Sequence, residues 1–308
     1  MVSQPIRRWI ESLVIPPAWR DVWISKDKMA FLLATGYDTK NRKQYQYHEQ
    51  WTEIREARKH TRMLRLGEAL PKIRAKVNRD LKGSDLSRAR VLASMVEIID
   101  TTGMRVGSAA YTKANHSYGI TTLRKKHVHD GDSTIEFNYL AKSGKERTIA
   151  ITDQKLVDVI TQCEETPGLE LFKYFDEQKQ KQSISSDEVN EYIHAIAKQS
   201  VTAKDFRNWY GTVSALQECI AVGSCNKKCL ALHKKSIFTP VSKKLGNTPK
   251  VAAESYIHKV VIDCHENNQL KYYQHPATKW RTQEEEMLLA MLREYEKTAH
   301  PERKAANL

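Results

Sequence analysis

Three stretches of this chain concentrate side chains that can handle a phosphate group. The first is Gly103-Met-Arg-Val-Gly107 with Asn115-His-Ser-Tyr-Gly-Ile-Thr-Thr-Leu-Arg124 close behind it. The second is Thr202-Ala-Lys-Asp-Phe-Arg-Asn-Trp-Tyr-Gly-Thr212, and the third is Leu245-Gly-Asn-Thr-Pro-Lys-Val-Ala-Ala-Glu-Ser-Tyr-Ile-His258. Arginine suits phosphate because its planar fork binds two oxygens at once and never loses its charge. Lysine can deliver a proton once its surroundings tune it. A free phenol titrates near ~10, so it becomes a useful nucleophile only where cations favour its phenolate. Breaking a phosphodiester without a metal requires all three roles. Composition alone does not pick one nucleophile from 13 tyrosines. Another constellation, Cys225-x3-Cys229-x3-His233, would put three ligand types on one helical face. No fourth ligand accompanies it, so no metal site is expected. His127 and His129 are expected to make ordinary polar contacts.

Charge narrows the partners. The 308 residues carry 50 Lys+Arg against 37 Asp+Glu, a net +13. Over half of that excess lies between Glu53 and Arg90, with 12 basic residues against 5 acids. A second block, between Glu218 and Glu254, holds 7 lysines and no acid. Two separated basic blocks suit a protein that surrounds a polyanion, although solvated helix faces account for them equally well. Five cysteines are too few, and odd in number, for a disulfide framework. No apolar run is long enough to span a bilayer, and Met1-Val-Ser-Gln-Pro5 lacks the pattern of a leader. A cytoplasmic location is the expectation.

Positioning such groups falls to two kinds of element. Val22-Trp-Ile, Phe31-Leu-Leu-Ala-Thr35 and Lys43-Gln-Tyr-Gln-Tyr47 predict short strands, with turn residues over Gly36–Asn41. Pro16-Pro17 blocks helix ahead of the first strand. From about residue 50 the periodicity is helical, and Leu92, Met95, Val96 and Ile99 share one face. Residues 134–152 predict a hairpin turning at Lys142-Ser-Gly-Lys145, with Gly144 at positive φ. Ser185-x-x-Glu188 and Thr202-x-x-Asp205 read as helix starts, and Thr248-Pro249 as an N-cap with proline following. Much of Ala221–Gly246 reads as a mobile loop ahead of a final helix carrying Tyr256. Trp280–Tyr295 reads as an amphipathic, structural helix.

Taken in order, the three segments resemble the bacterial and poxviral type IB DNA topoisomerases. Pro16-Pro-Ala-Trp-Arg-Asp-Val-Trp23 and Gly36-x-Asp-x-x-x-Arg-Lys-Gln-Tyr-x-Tyr47 resemble that family's N-terminal domain, and the likeness runs from about residue 15 to about 260. The resemblance implies an α+β fold with a small antiparallel N-terminal sheet domain, 1–54, and a larger, mainly helical catalytic domain, 55–308. It implies an isomerase that cuts one strand of duplex DNA, lets it rotate and reseals it through a 3′-phosphotyrosyl intermediate, with no cofactor. Tyr256 is then the nucleophile, Arg105 and Arg207 the phosphate clamp, and Lys142 the general acid in preference to Lys145. Asn247 stands nine residues before the tyrosine, where relatives can carry histidine, so no essential imidazole is expected there. Lys204 is expected on the DNA backbone, with Arg42 and Lys43 on phosphates and Gln44, Tyr45 and Tyr47 contacting DNA. Strand alternation puts Tyr45 and Tyr47 on one face, and packing in the sheet's core is the other reading. Lys259 departs from the proline frequent among relatives.

The enzymatic rival is a tyrosine recombinase, which usually carries histidine three residues before the second arginine, where Lys204 stands here. A non-enzymatic DNA-binding protein would not require the set Arg105, Lys142, Arg207, Asn247 and Tyr256. The resemblance further implies a monomer whose two domains surround duplex DNA, with no membrane partner.

Overall fold

The structure is a computed structural model, and it describes residues 4–131, 134–224 and 230–299. Its contacts divide the chain into residues 1–61 and 62–308. The first unit holds helix α1 (Gln4–Ser12) and the strands β1 (Arg20–Ile24), β2 (Leu32–Tyr37) and β3 (Lys43–Tyr47), paired antiparallel in the order β1-β2-β3. All three expected strands are present. Gly36 and Tyr37, expected in the turn, still belong to β2, and Trp19 packs over Gly36. A Cβ at Gly36 would come within 2.7 Å of the indole ring. The turn itself is built by Asp38, whose carboxylate accepts from the N–H groups of Lys40 and Arg42, each at 2.9 Å. The long helix α2 (Glu49–Asp80) contains the division between the units.

The second unit is α+β, as expected, and mainly helical. After α2 come α3 (Arg88–Thr102) and α4 (Ala109–Asn115), then an antiparallel sheet β4 (Val128–Asp130), β5 (Ile135–Ala141) and β6 (Lys145–Ile151). Helix α5 (Gln154–Glu165), the small hairpin β7 (Lys173–Phe175) and β8 (Lys181–Ser183), and α6 (Ser186–Ala197) follow. The chain ends with α7 (Ala203–Val222), α8 (Leu230–Leu245), the short turn α9 (Pro249–Val251), α10 (Lys259–Glu266) and α11 (Gln283–Ala299). Helix α7 is the hub, packed against α3, α8, α10 and α11. Phe206, Trp209, Ala215 and Leu216 on α7 are buried, as are Leu92, Met95, Val96 and Ile99 on α3.

The caps explain where the helices begin. Ser185 and Glu188 form a reciprocal capping box, and so do Thr202 and Asp205. At the Lys142–Lys145 turn Gly144 has φ +69°, as expected, and Ser143 shares that left-handed conformation at φ +68°. Helix α11 is pinned through charge. Arg74 on α2 binds Asp100 at 2.7 Å and Glu285 at 2.7 Å, and Glu285 also accepts from the indole of Trp209 at 2.9 Å.

One expectation is corrected and another refined. Most of Ala221–Gly246 is helix rather than loop: α7 runs to Val222 and α8 begins at Leu230. The lysine-rich composition hid a buried stripe, Ile237, Val241 and Leu245, whose spacing is that of one helix face. The helix expected to start at Thr248-Pro249 and carry Tyr256 is present, though it is short and changes its winding. The turn begun by Thr248 and Pro249 widens at once into a π-helical turn over Ala252–Tyr256, closed by Ile257 N–H to the Ala252 carbonyl at 3.1 Å. Cys225 and Cys229 lie outside the described residues.

Candidate active site

Arg105 owes its place to the end of α3. Gly103 takes the left-handed C-cap conformation at φ +61° and returns its N–H to Ile99. The chain that leaves this cap is then zipped to the second half of the first motif. Ile120 N–H meets the Arg105 carbonyl at 2.9 Å, and Thr121 N–H meets that of Val106 at 2.8 Å. Gly107 and Gly119 permit this approach, since a Cβ on Gly119 would lie 2.5 Å from the Gly107 nitrogen. The Gly103–Gly107 and Tyr118–Thr122 segments are therefore one structural unit holding one arginine.

Arg207 lies in the second turn of α7 and is only 4% exposed. Its guanidinium donates to the carbonyls of Gly103 and Leu245, the ends of α3 and α8. Among the described residues its Nε has no hydrogen-bond partner. The same guanidinium lies over the Tyr256 ring, 4.8 Å from the centroid. Arg105 approaches from another side, donating to Asn247 Oδ1 at 2.7 Å and reaching the Tyr256 hydroxyl at 3.5 Å. Arginine carries only donors, so Asn247 must turn its oxygen to Arg105. That leaves its buried Nδ2, which has no partner among the described residues, as an available donor.

Opposed effects set the phenol's acidity. Burial raises the pKa of Tyr256, but the charges of Arg207 and Arg105 outweigh it and bring the group to about 8. Arg207 is pulled to about 10, first by its own burial and then by repulsion from Arg105. An anion placed among these groups would relieve that repulsion and engage donors that stand unused.

The half-buried Tyr256 faces a cleft of about 450 Å³ that Arg105, Tyr111, Lys142, Lys204 and Arg207 also line. Lys142 projects from the turn between β5 and β6, its ammonium 5.8 Å from the Tyr111 ring centroid. Lys145, the rival from the same turn, is not among the cleft's lining residues. Five expected residues (Arg105, Lys142, Lys204, Arg207 and Tyr256) thus share one cleft, with Asn247 attached through Arg105. Besides Tyr111, two neighbours escaped the sequence reading. Arg147 on β6 donates to the Lys243 carbonyl at 2.9 Å and packs against Gly246, where a Cβ would lie 2.7 Å from its Cδ. Thr212 on α7 hydrogen-bonds the backbone on both sides of Ile257. An arginine on a strand and a threonine inside a helix carry no local signal of such roles.

Comparison with known proteins shows the family. Residues 48–287 match the model for eukaryotic DNA topoisomerase I, catalytic core, and residues 3–38 match that for bacterial DNA topoisomerase IB, N-terminal domain. The chain belongs to the type IB DNA topoisomerase family. It is 30% identical over 274 residues to the DNA topoisomerase 1B of Acanthamoeba polyphaga mimivirus, covering 86% of this chain and 82% of that one. The DNA topoisomerase 1B of Vaccinia virus (strain Copenhagen) is 21% identical over 273 residues, 85% of this chain and 82% of its own. As a type IB topoisomerase the protein is a DNA-binding isomerase. Among the described residues no helix is long and apolar enough to cross a membrane.

The N-terminal unit of this type IB topoisomerase presents its own polar surface. On β3, Lys43, Tyr45 and Tyr47 are exposed and Gln44 and Gln46 half-buried. The two tyrosine rings stack at 6.2 Å with 15° between planes, on the open face of the sheet rather than in its core. Lys43 lies over the Tyr45 ring at 5.8 Å and Arg55 over Tyr47 at 6.0 Å. Asp38 binds the guanidinium of Arg42 at 2.6 Å and the amide of Gln44 at 2.9 Å, which orients both. His127 accepts from Arg124 N–H at 3.0 Å and sets its ring edge-on against Tyr118, an ordinary polar contact as expected.

Proposed function

We propose that Tyr256 attacks a DNA phosphodiester and forms a 3′-phosphotyrosyl bond, releasing a 5′-hydroxyl end that rotates before it is rejoined. What carries this reading is one juxtaposition: an acidified phenol between two arginines, at the edge of a cleft lined by two lysines. Arg105 and Arg207 take the non-bridging oxygens, where charge grows as the phosphorus becomes five-coordinate. The Asn247 Nδ2 donates to one of them. Lys142 gives its proton to the departing 5′-oxygen and recovers it on religation. The bond made resembles in energy the bond broken, so resealing draws on no ATP. Cationic charge comes from the arginines, so the cycle requires no metal.

Lys204 holds the DNA backbone near the cleft, and Arg42, Lys43, Gln44, Tyr45 and Tyr47 offer phosphate and base-edge contacts from the N-terminal unit. The enzyme works as a monomer around duplex DNA, in the cytoplasm on the nucleoid. Relaxation of a supercoiled plasmid in EDTA without ATP tests the proposal. The wild type is expected to relax it and to leave a covalent adduct on denaturation, and Tyr256→Phe to do neither. Full relaxation by Tyr256→Phe would sink the assignment.

A further inference from the structure

The π-turn that delivers Tyr256 leaves main-chain groups without regular partners. Ile257 N–H closes the turn on Ala252, and α10 does not begin until Lys259. The Tyr256 carbonyl and the His258 N–H fall in the gap between these elements. A single hydroxyl reaches both, its one proton shared between the Tyr256 and Asn208 carbonyls. The Thr212 hydroxyl lies 3.1 Å from the Tyr256 carbonyl oxygen and accepts from His258 N–H at 3.0 Å. It also lies 2.8 Å from the Asn208 carbonyl in its own helix. Thr212 is fully buried, at 0% exposure, so water cannot stand in for it. Its neighbour Gly211 makes room: a Cβ there would come 3.3 Å from Tyr256 Cβ and 3.1 Å from Leu245 Cδ1.

We propose that Thr212 is a positioning residue for the nucleophile, its hydroxyl fixing the backbone around Tyr256 so that the phenol meets Arg105 and Arg207. The inference rests on the reading of Tyr256 as nucleophile and adds the group that sets its register. Arg207 and Thr212 belong to one rigid helix, five residues apart. α7 therefore places the phosphate clamp with one side chain and the nucleophile's backbone with another. Misplacement by about 1 Å costs a reaction of this kind on the order of 10²-fold, so a hydroxyl remote from the phosphate can govern the rate.

The test compares Thr212→Val, which keeps the shape and loses the hydroxyl, with Thr212→Ser, which keeps the hydroxyl. Single-turnover adduct formation is measured on a duplex whose cleaved end diffuses away, together with duplex affinity and the phenol's titration in the free protein. Thr212→Val is expected to slow adduct formation tenfold or more at unchanged affinity. It should also raise the Tyr256 midpoint above about 8, because the phenol drifts from its arginines. Thr212→Ser should recover most of the rate and the wild-type midpoint. A rate and midpoint in Thr212→Val equal to wild type would overturn the proposal, and so would a Thr212→Ser as slow as Thr212→Val. Should Thr212→Val fail to fold, Thr212→Cys replaces it, since a thiol is a weak hydrogen-bonding group. Equal rates for Cys and Ser would then overturn it. If the wild type itself forms no Tyr256 adduct, the catalytic reading fails instead.

Discussion

Tyr256 illustrates how neighbouring residues settle the chemistry of a common side chain. Burial by itself would make the phenol a poorer acid, and the cations over its face and at its hydroxyl reverse the sign. In the proposed mechanism the phenolate attacks, so kcat/KM for adduct formation should rise with pH and level off above about 8. Arg105→Gln removes one acidifying charge, so its midpoint should lie above the wild type's, toward the ~10 of a free phenol. A spectroscopic titration of the phenol, wild type minus Tyr256→Phe, checks the same value directly. A midpoint in Arg105→Gln at or below the wild type's would mean that Arg105 does not act on the phenol. Asn247 is legible in sequence as an amide where an imidazole can stand. That its oxygen is committed to Arg105, leaving the nitrogen free, is visible only in the packed site.

Elements fail or succeed at their ends. Gly103 ends α3, and its carbonyl also accepts from Arg207, so one residue ties both arginine-bearing segments together. It has a left-handed φ of +61°, and a Cβ would strike the Tyr210 ring at 2.6 Å. Gly144 has a similar φ of +69° with nothing within 4 Å of such a Cβ. Alanine at Gly144 should therefore cost only backbone strain, about 1 kcal/mol. Alanine at Gly103 adds a clash and should cost more, up to ~3 kcal/mol, read as a lower Tm. Equal losses at the two sites would show that the Tyr210 contact is soft. The cap signatures at Ser185, Thr202 and Thr248 were readable because capping is local chemistry. Helix α8 was not, because its apolar face gains meaning only against α7.

At the scale of the molecule, the +13 charge is the most accessible property and the least specific. Each phosphate neutralised releases counterions, so duplex affinity should fall steeply with salt. Lys204 is exposed at the mouth of the cleft. Lys204→Ala should weaken binding across sequences alike and make the slope of log affinity against log salt shallower by about 1. An unchanged slope would place Lys204 off the DNA backbone. The network of Arg74, Asp100, Glu285 and Trp209 acts at this scale too, joining α2, α3, α7 and α11 around buried charge. No local pattern announces it, since its members come from distant parts of the chain.

The sequence by itself determined the family, the α+β class, the small strand-rich N-terminal region, most helix starts and the identities of the residues that meet at the cleft. These depend on residue types at short spacing and on motifs in a fixed order, which a linear chain records directly. Only the tertiary structure decided that Lys142, which the resemblance already favoured over Lys145, lines the cleft, that Tyr45 and Tyr47 stack in the open, and that the helix begun at Thr248 carries Tyr256 on a π-turn. Thr212 and Arg147 likewise emerged only there. Each of these depends on distances between segments far apart in sequence, and such distances are fixed by packing and by buried hydrogen bonds seeking partners.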